Sequence, residues 1–371
     1  MTTFDFQLPK AGRRRRRVTI SDVAAELGVA KGTVSRALND YPDIAPTTRE
    51  RVRRVAKTLG YQPLSHAQAI KTGRARSLGL VIQLSEHDAH RPFLADFLAG
   101  ISFVASAEGW TLTVATADRD TATLATMRRL IDEHKVDGFI LPRTFIEDPR
   151  STLLNEQDVP FVMFGRTRDA AGCAWHDVRS EDAMTDAVRR LAAFGHRRIA
   201  FVNGGSQYQY SRLRLDGFRR GLARAGLEED PDLVLSGALA PEAGEAAVDR
   251  LLALPRPPTA VVFAVDAAAL GLYRAARRHG IRVARHLSVV GYDGIPDGSH
   301  ADPPLSTYAV DIRRAGERLA SMLIDRIRGA EPEALRETVP ATFIDRGSIG
   351  PPELSTDDLA RLIGAGRSIP Q

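Results

Sequence analysis

Cysteine is nearly absent from this chain. Cys173 is the single thiol among 371 residues, so neither a disulfide framework nor a cysteine-built metal site can form within it. No apolar run approaches the roughly 18–20 residues of a membrane span. The arginines near the N-terminus have no apolar stretch behind them, which does not fit a secretory signal and leads us to expect a cytoplasmic protein. Catalytic signatures are missing as well: no G-x-G-x-x-G follows the first strand, and there is no P-loop, H-E-x-x-H or G-x-S-x-G. Gly204-Gly205 alone is a weak phosphate signal. The nine histidines are scattered, and His196, within GHRR, reads as a structural turn residue rather than a base. No enzyme, cofactor or metal is expected. No internal repeat or low-complexity tract is evident beyond one run of arginines.

What is present is apolar bulk and an uneven charge. Apolar residues make up 43 % of the chain, enough for sizeable cores, and the length predicts two or three domains. Residues 1–76 hold 16 Lys and Arg against 6 Asp and Glu, a balance of +10, while the remainder holds 35 against 40. A basic small module joined to a mildly acidic large one predicts an anionic partner at the N-terminus only. The five arginines Arg13–Arg17 also fit a solvated basic arm over 1–17.

Behind that arm, Ile20, Val23, Ala24 and Leu27 recur at i, i+3, i+4 and i+7, one face of a helix. Thr19 is a natural N-cap, with Asp22 completing an acidic capping box. Gly28 stops the helix, and Val29, Val34 and Leu38 supply the apolar side of a second one. Two short helices separated by so tight a turn predict a helix-turn-helix. The outward residues of the second helix, Lys31, Thr33, Ser35 and Arg36, then face a DNA major groove. Gly32 lies beside them without a side chain to read a base. Thr19 and Asn39, at the ends of the unit, complete the candidate DNA-contacting set. A third helix, expected to be capped by Thr47 with Glu50 closing a second capping box, carries Arg49, Arg51, Arg53, Arg54 and Lys57, which suits phosphate contact. The plain alternative is a three-helix bundle with solvated charges.

From Ser77 onward short apolar strands alternate with helix-length stretches. "SLGLVIQL" (77–84), "TLTVATA" (111–117), "VDGFILP" (136–142) and "PFVMFG" (160–165) form one series, and "RRIAFVNG", "DLVLSG", "PTAVVFAV" and "LSVVGYD" a second. Such alternation predicts parallel, doubly wound sheets. Two series predict two Rossmann-like lobes with a ligand cleft at the strand ends. Arg214, expected just ahead of a helix beginning near Leu215, could fork onto paired hydroxyls or a carboxylate, or simply pair with a neighbouring acid. Asp293 could accept two sugar hydroxyl protons, or cap the turn before Gly294. Asp266 ends another strand.

"VTISDVAAELGVAKGTVSRALN" (18–39), "TTRERVRRVAKTLGYQP" (47–63), "GHRRIAFVNG", "RLRLDGF" (212–218), "PPTAVVFAVDAAALG" (257–271) and "LSVVGYDGIP" (287–296) together resemble the LacI/GalR family of transcriptional regulators over residues 18–349. The resemblance implies an α/β chain with an N-terminal all-α helix-turn-helix domain (18–63), a hinge helix (64–76), and two lobes of periplasmic-binding-protein type (77–349), followed by a tail (350–371). It places lobe crossings near Asp177, Tyr308 and Pro340, giving one lobe of about 77–176 and 308–340 and another of about 177–307 and 341–349. It implies that Ile70, with Ala67 and Gln68, wedges a base step from the minor groove, where the family has leucine. Leu64 stands where asparagine is usual.

In the cleft the resemblance implies effector contact by Arg214, Asp293 and Asp266, by the apolar segment Phe93-Leu94, by Leu239, and by Tyr208 and Tyr210 on a loop. Val265 replaces a usual asparagine and Phe164 a usual polar residue, with Arg166 placed to compensate. "PFVMFGRT" is faintly similar to the α-glucoside-responsive subgroup. The implied partners are a palindromic double-stranded operator, a small effector (a sugar, with a nucleobase or phosphorylated metabolite as the alternative) and a second copy of the chain. The tail lacks the heptads of a coiled-coil tetramer element. A sugar-binding protein without a DNA role is the competing class.

Overall fold

The computed structural model describes residues 18–61, 74–83, 93–168 and 171–367 and divides into two units, residues 1–75 and 76–371. The arm 1–17 and the hinge candidates Ala67, Gln68 and Ile70 lie outside the described residues.

The described residues of the first unit form three helices, α1 (Ile20–Leu27), α2 (Lys31–Leu38) and α3 (Pro46–Leu59). Thr19 caps α1, and the Thr19–Asp22 capping box forms in both directions. Gly28 ends α1 with φ 67°, a left-handed turn that glycine adopts without a Cβ clash. Val23, Ala24, Leu27, Val34, Ala37, Val52 and Ala56 bury into one small core. The start of α3 differs from expectation. Ala45 occupies the cap and Pro46 the first helical position, one turn-position ahead of Thr47, and no side chain caps this end. Proline lacks the N–H that a cap would satisfy and has φ preset for a helix, so the helix begins on it.

The second unit holds two six-stranded sheets. The first contains β1 (Ser77–Gln83), β2 (Thr111–Ala117), β3 (Gly138–Pro142), β4 (Phe161–Phe164), β5 (Ala174–Val178) and, arriving late in the chain, β11 (Arg336–Val339), in the order β11-β5-β4-β3-β1-β2. Its helices are α4 (Phe93–Ala107), α5 (Asp120–Asp132) and α6 (Pro149–Glu156). The second sheet contains β6 (Ile199–Val202), β7 (Val234–Leu235), β8 (Ala260–Phe263), β9 (Ser288–Asp293), β10 (Ser306–Ala309) and β12 (Thr342–Ile344), in the order β12-β10-β9-β8-β6-β7. Around it lie α7 (Ser180–Ala193), α8 (Gln209–Arg224), α9 (Pro241–Leu252) and α10 (Asp266–Arg278).

Among the described residues every ladder is parallel except β10 with β12. Parallel strands covered on both faces read as continuous apolar runs; β6 and β8 are buried throughout. The chain passes from the first lobe to the second after β5, returns between β10 and α11 (Ile312–Ile327), which packs on α4, and leaves again between β11 and β12. A last helix, α12 (Thr356–Arg367), inserts Leu359 and Ile363 into the core of the second lobe. No described helix is long and apolar enough to cross a membrane.

Candidate functional site

Two surfaces hold the sequence-predicted residues. On the first unit, Lys31, Gly32 and Arg36 are exposed and Thr33 and Ser35 half-buried along α2, so one side of this helix faces outward as a polar strip. A Cβ at Gly32 would meet nothing within 4 Å. The Thr19 hydroxyl is engaged with Asp22 Oδ2 at 2.7 Å, and the Asn39 side-chain amide donates to the Ser35 carbonyl at 2.7 Å; both hold helix ends. Arg36 pairs with Asp43 and lies 5.5 Å from the centroid of the Tyr41 ring. Sequence reading missed Asp43, because nothing local marks a carboxylate seven residues on as a partner.

The second surface is a cleft between the two lobes of the second unit, a cavity of about 960 Å³. Phe164, Arg166, Tyr210, Arg214, Leu239, Val265 and Asp293 line it together. They come from strand ends and helix starts of both lobes, where parallel sheets gather ligands. Leu94 and Tyr208 line an adjoining pocket of about 270 Å³ that shares Phe97, Pro142 and Arg143 with the cleft. Phe93 opens α4, and its side chain lies outside the described residues.

Arg214 and Asp266 stand elsewhere than the sequence predicts. Arg214 does not precede its helix; α8 starts at Gln209, after an extended Tyr208. The guanidinium therefore rises from the second turn, lies 4.6 Å from the Tyr210 ring centroid and 3.8 Å from that of Tyr292, and donates to the Ala264 carbonyl. Its Nη2 is 3.9 Å from Asp293 Oδ1, so the arginine both pairs with an acid and faces the cavity.

Asp266 is not a cleft residue. It is fully buried at the start of α10, where Oδ2 accepts the Gly294 and Ile295 N–H groups at 2.8 and 3.0 Å, and Thr307 Oγ1 donates at 2.8 Å to Oδ1. Its place is underneath Asp293-Gly294-Ile295, holding that rim. A Cβ on Gly291 would come within 1.9 Å of Asp266 Oδ1, so this seat requires glycine.

Among the described residues that line the cleft, Arg214 and Gln209 each hold a buried polar atom without a hydrogen-bond partner, Nε and Oε1 respectively. Burial pushes Asp293 up to about 7 against the pull of Arg214. It pushes Asp177 up to about 6 although Arg166 Nε lies 3.4 Å away. Arg166 also pairs with Glu181. On the opposite wall Phe97 and Phe164 stack at 5.7 Å. Among the described lining residues four arginines face six carboxylates.

At one rim the lobes touch through backbone. The Ile146 N–H donates to the Gln207 carbonyl and the Gln209 N–H to the Thr144 carbonyl, each at 3.0 Å, and Phe145 meets Tyr208 with centroids 5.1 Å apart. Asp148 and Arg150, a buried pair, brace this loop, with Arg150 also donating to the Pro142 and Arg143 carbonyls at 2.9 Å.

These surfaces can be set beside known proteins. The family described as "Bacterial regulatory proteins, lacI family" matches residues 19–64, and "Periplasmic binding protein-like domain" matches residues 188–349. The HTH-type transcriptional regulator AglR of Rhizobium meliloti (strain 1021) is 35 % identical over 90 % of this chain and 95 % of its own length. The chain belongs to the LacI family. It is a helix-turn-helix transcriptional regulator that binds DNA.

Another relative, CelR of Thermobifida fusca, is 34 % identical over 87 % of this chain and 96 % of its own. Among solved structures, a transcriptional regulator CelR–cellobiose complex superposes with TM-score 0.69 at 32 % identity, covering 90 % of this chain and all of that one. The lac repressor dimer bound to operator and the anti-inducer ONPF gives TM-score 0.77 at 26 % identity, with the same coverage. Within this LacI-family member, sequence reading missed Asp177, Gln209 and Phe97 as cleft residues, since none stands in a motif and each reaches the cavity through sheet order. His196 is a structural group as expected. Nε2 faces the Gly350 carbonyl at 2.9 Å, which can only accept, so Nδ1 accepts from Thr259.

Proposed function

We propose that the protein is a repressor, a homodimer that grips a palindromic operator with paired helix-turn-helix units and responds to a neutral sugar in the lobe cleft. The observation that carries the effector reading is the convergence of two arginines and two carboxylates on one cavity. Arg214 and Arg166 bring N–H donors, and Asp293 and Asp177 carboxylate acceptors, to the same cavity. A polyol supplies donors and acceptors in alternation and satisfies both kinds. Carboxylates outnumber arginines along the lining, which disfavours a phosphorylated metabolite. The Phe97–Phe164 stack offers an apolar surface to the C–H face of a sugar ring. The cellobiose held by CelR supports a sugar of this class, and α-glucosides are the first to try.

Arg214, Asp293, Arg166 and Asp177 are the effector-contacting polar residues in this reading, and Asp266 supports them from below. Lys31 and Arg36 approach base edges while the α3 cations take phosphates. Binding of the sugar changes the relation of the lobes, and by linkage a sugar that weakens operator binding is itself bound more weakly by the operator complex. We assign the cleft binding rather than turnover.

The test is fluorescence anisotropy of labelled upstream DNA against a sugar panel. Wild type should bind with steep salt dependence and be released by one sugar. Arg214→Lys keeps the charge and loses the fork; it should leave operator affinity unchanged and weaken the sugar response by about 1.5–3 kcal/mol, roughly 10- to 150-fold. A normal sugar midpoint in that variant would remove Arg214 from the site.

A further inference from the structure

The helix-turn-helix unit carries two carboxylates on the very turn that adjoins its DNA-facing helix. Asp40 pairs with Arg53 and lies 3.8 Å from Arg49 Nη1, both on α3. Asp43 pairs instead with Arg36 Nη2 on α2, and each of these two side chains remains about half exposed, 51 and 44 %. The Tyr41 ring lies against the same guanidinium. The turn cannot easily swing Asp43 away. The Tyr41 N–H donates to the Arg36 carbonyl at 3.0 Å and the Ile44 N–H to the Tyr41 carbonyl at 3.2 Å. Arg36 is thus held between a ring and a carboxylate before DNA arrives.

An unrestrained arginine on a basic surface takes phosphate on any sequence, and such contacts add affinity without information. A fixed carboxylate beside it changes this in two ways. Its charge repels phosphate everywhere along random DNA. It also occupies one part of a five-donor group, leaving the remaining N–H donors as a fork that matches guanine O6 and N7. We propose that Asp43 is a specificity-setting residue that steers Arg36 away from phosphate and toward a guanine edge in the major groove. This rests on Arg36 reading a base, and Arg36→Ala tests that separately.

The experiment is selection of duplexes by the full-length protein from a randomised library, followed by titration of the recovered site and of random DNA over a salt series. Asp43→Asn, nearly isosteric, should bind random DNA more tightly and with a salt slope steeper by about 0.9, one added phosphate contact. Its ratio of selected-site to random affinity should fall about fivefold or more, the lower end of one bidentate guanine contact, with guanine preference reduced at one position per half-site. In an Arg36→Ala background, Asp43→Asn should leave base preference unchanged, because it acts through the arginine.

An Asp43→Asn protein with the wild-type recovered site and an unchanged ratio would overturn the proposal. So would a loss of selected-site affinity with no gain on random DNA, which would make Asp43 itself the base reader. If Arg36→Ala alone leaves the recovered site as in wild type, the Arg36 reading fails and this proposal falls with it. Asp43→Ala, compared by circular dichroism, separates a folding defect from either result.

Discussion

Replacing Asp266 with alanine tests the reassignment of this residue from ligand contact to support. The carboxylate is buried and accepts from two backbone N–H groups and one hydroxyl, at 2.8–3.0 Å. Alanine leaves those three donors unpaired. An orphaned buried group costs about 1–3 kcal/mol, but the lost carboxylate also carried its own desolvation penalty, shown by the upward shift of its pKa through burial. Three orphaned donors, less the relief of that penalty, give an expected loss of about 3–5 kcal/mol. Asn at 266 retains an oxygen for the Gly294 and Ile295 N–H groups and should cost about 1–2 kcal/mol.

Urea unfolding followed by far-ultraviolet circular dichroism measures these differences on the full chain. Gly291→Ala should resemble Asp266→Ala, since its Cβ would displace Oδ1. Both should weaken the sugar response through the Asp293–Ile295 rim while leaving DNA recognition by the separate first unit in place. A loss below about 1 kcal/mol for Asp266→Ala, with an unaltered sugar midpoint, would refute the support role and the arithmetic behind it.

Four further outcomes rest on Asp293, His196 and Leu359. In the proposed reading sugar hydroxyls donate to the carboxylate form of Asp293, whose pKa burial pushes up to about 7; calorimetry at pH 7 in buffers of different ionisation enthalpy should therefore show release of about half a proton, and uptake would contradict the assignment. Because this pKa is raised above the usual carboxylate value, its stability contribution is full below about 3.9 and lost as pH rises through about 7, so Asp293→Asn should flatten that part of the pH–stability curve. His196, lowered to about 4 by burial, acts in the opposite sense: its contribution is full above about 6.5 and lost as pH falls toward 4. Leu359→Ala should destabilise by about 2–4 kcal/mol if α12 belongs to the second-lobe core, measured by the same urea unfolding; a change near zero would detach the tail from the fold.

Much of the local structure is legible in the sequence alone. Ile20, Val23, Ala24 and Leu27 repeat at helical spacing, Thr19 and Gly28 punctuate the ends, and all occupy those places in α1. The apolar runs of β1, β3, β6 and β8 stand out because both faces are covered. β5, by contrast, carries no such apolar run. Its sequence AWHDV carries His176 and Asp177, both buried, and only its neighbours β4 and β11 make a strand of it.

The amino-acid sequence by itself therefore determined the helix-turn-helix, the charge division and the two alternating α/β series. Each rests on residues a few positions apart, within reach of one helical turn or one pleat. Only the tertiary structure decided that Asp293 faces the cavity and Asp266 lies beneath it, that Arg214 stands one turn inside α8, and that Thr144–Ile146 and Gln207–Gln209 join across the rim. Strand order and three lobe crossings bring those groups together from distant positions. A sequence pattern with a period of two or three and a half residues carries no record of which distant strand end lies alongside another.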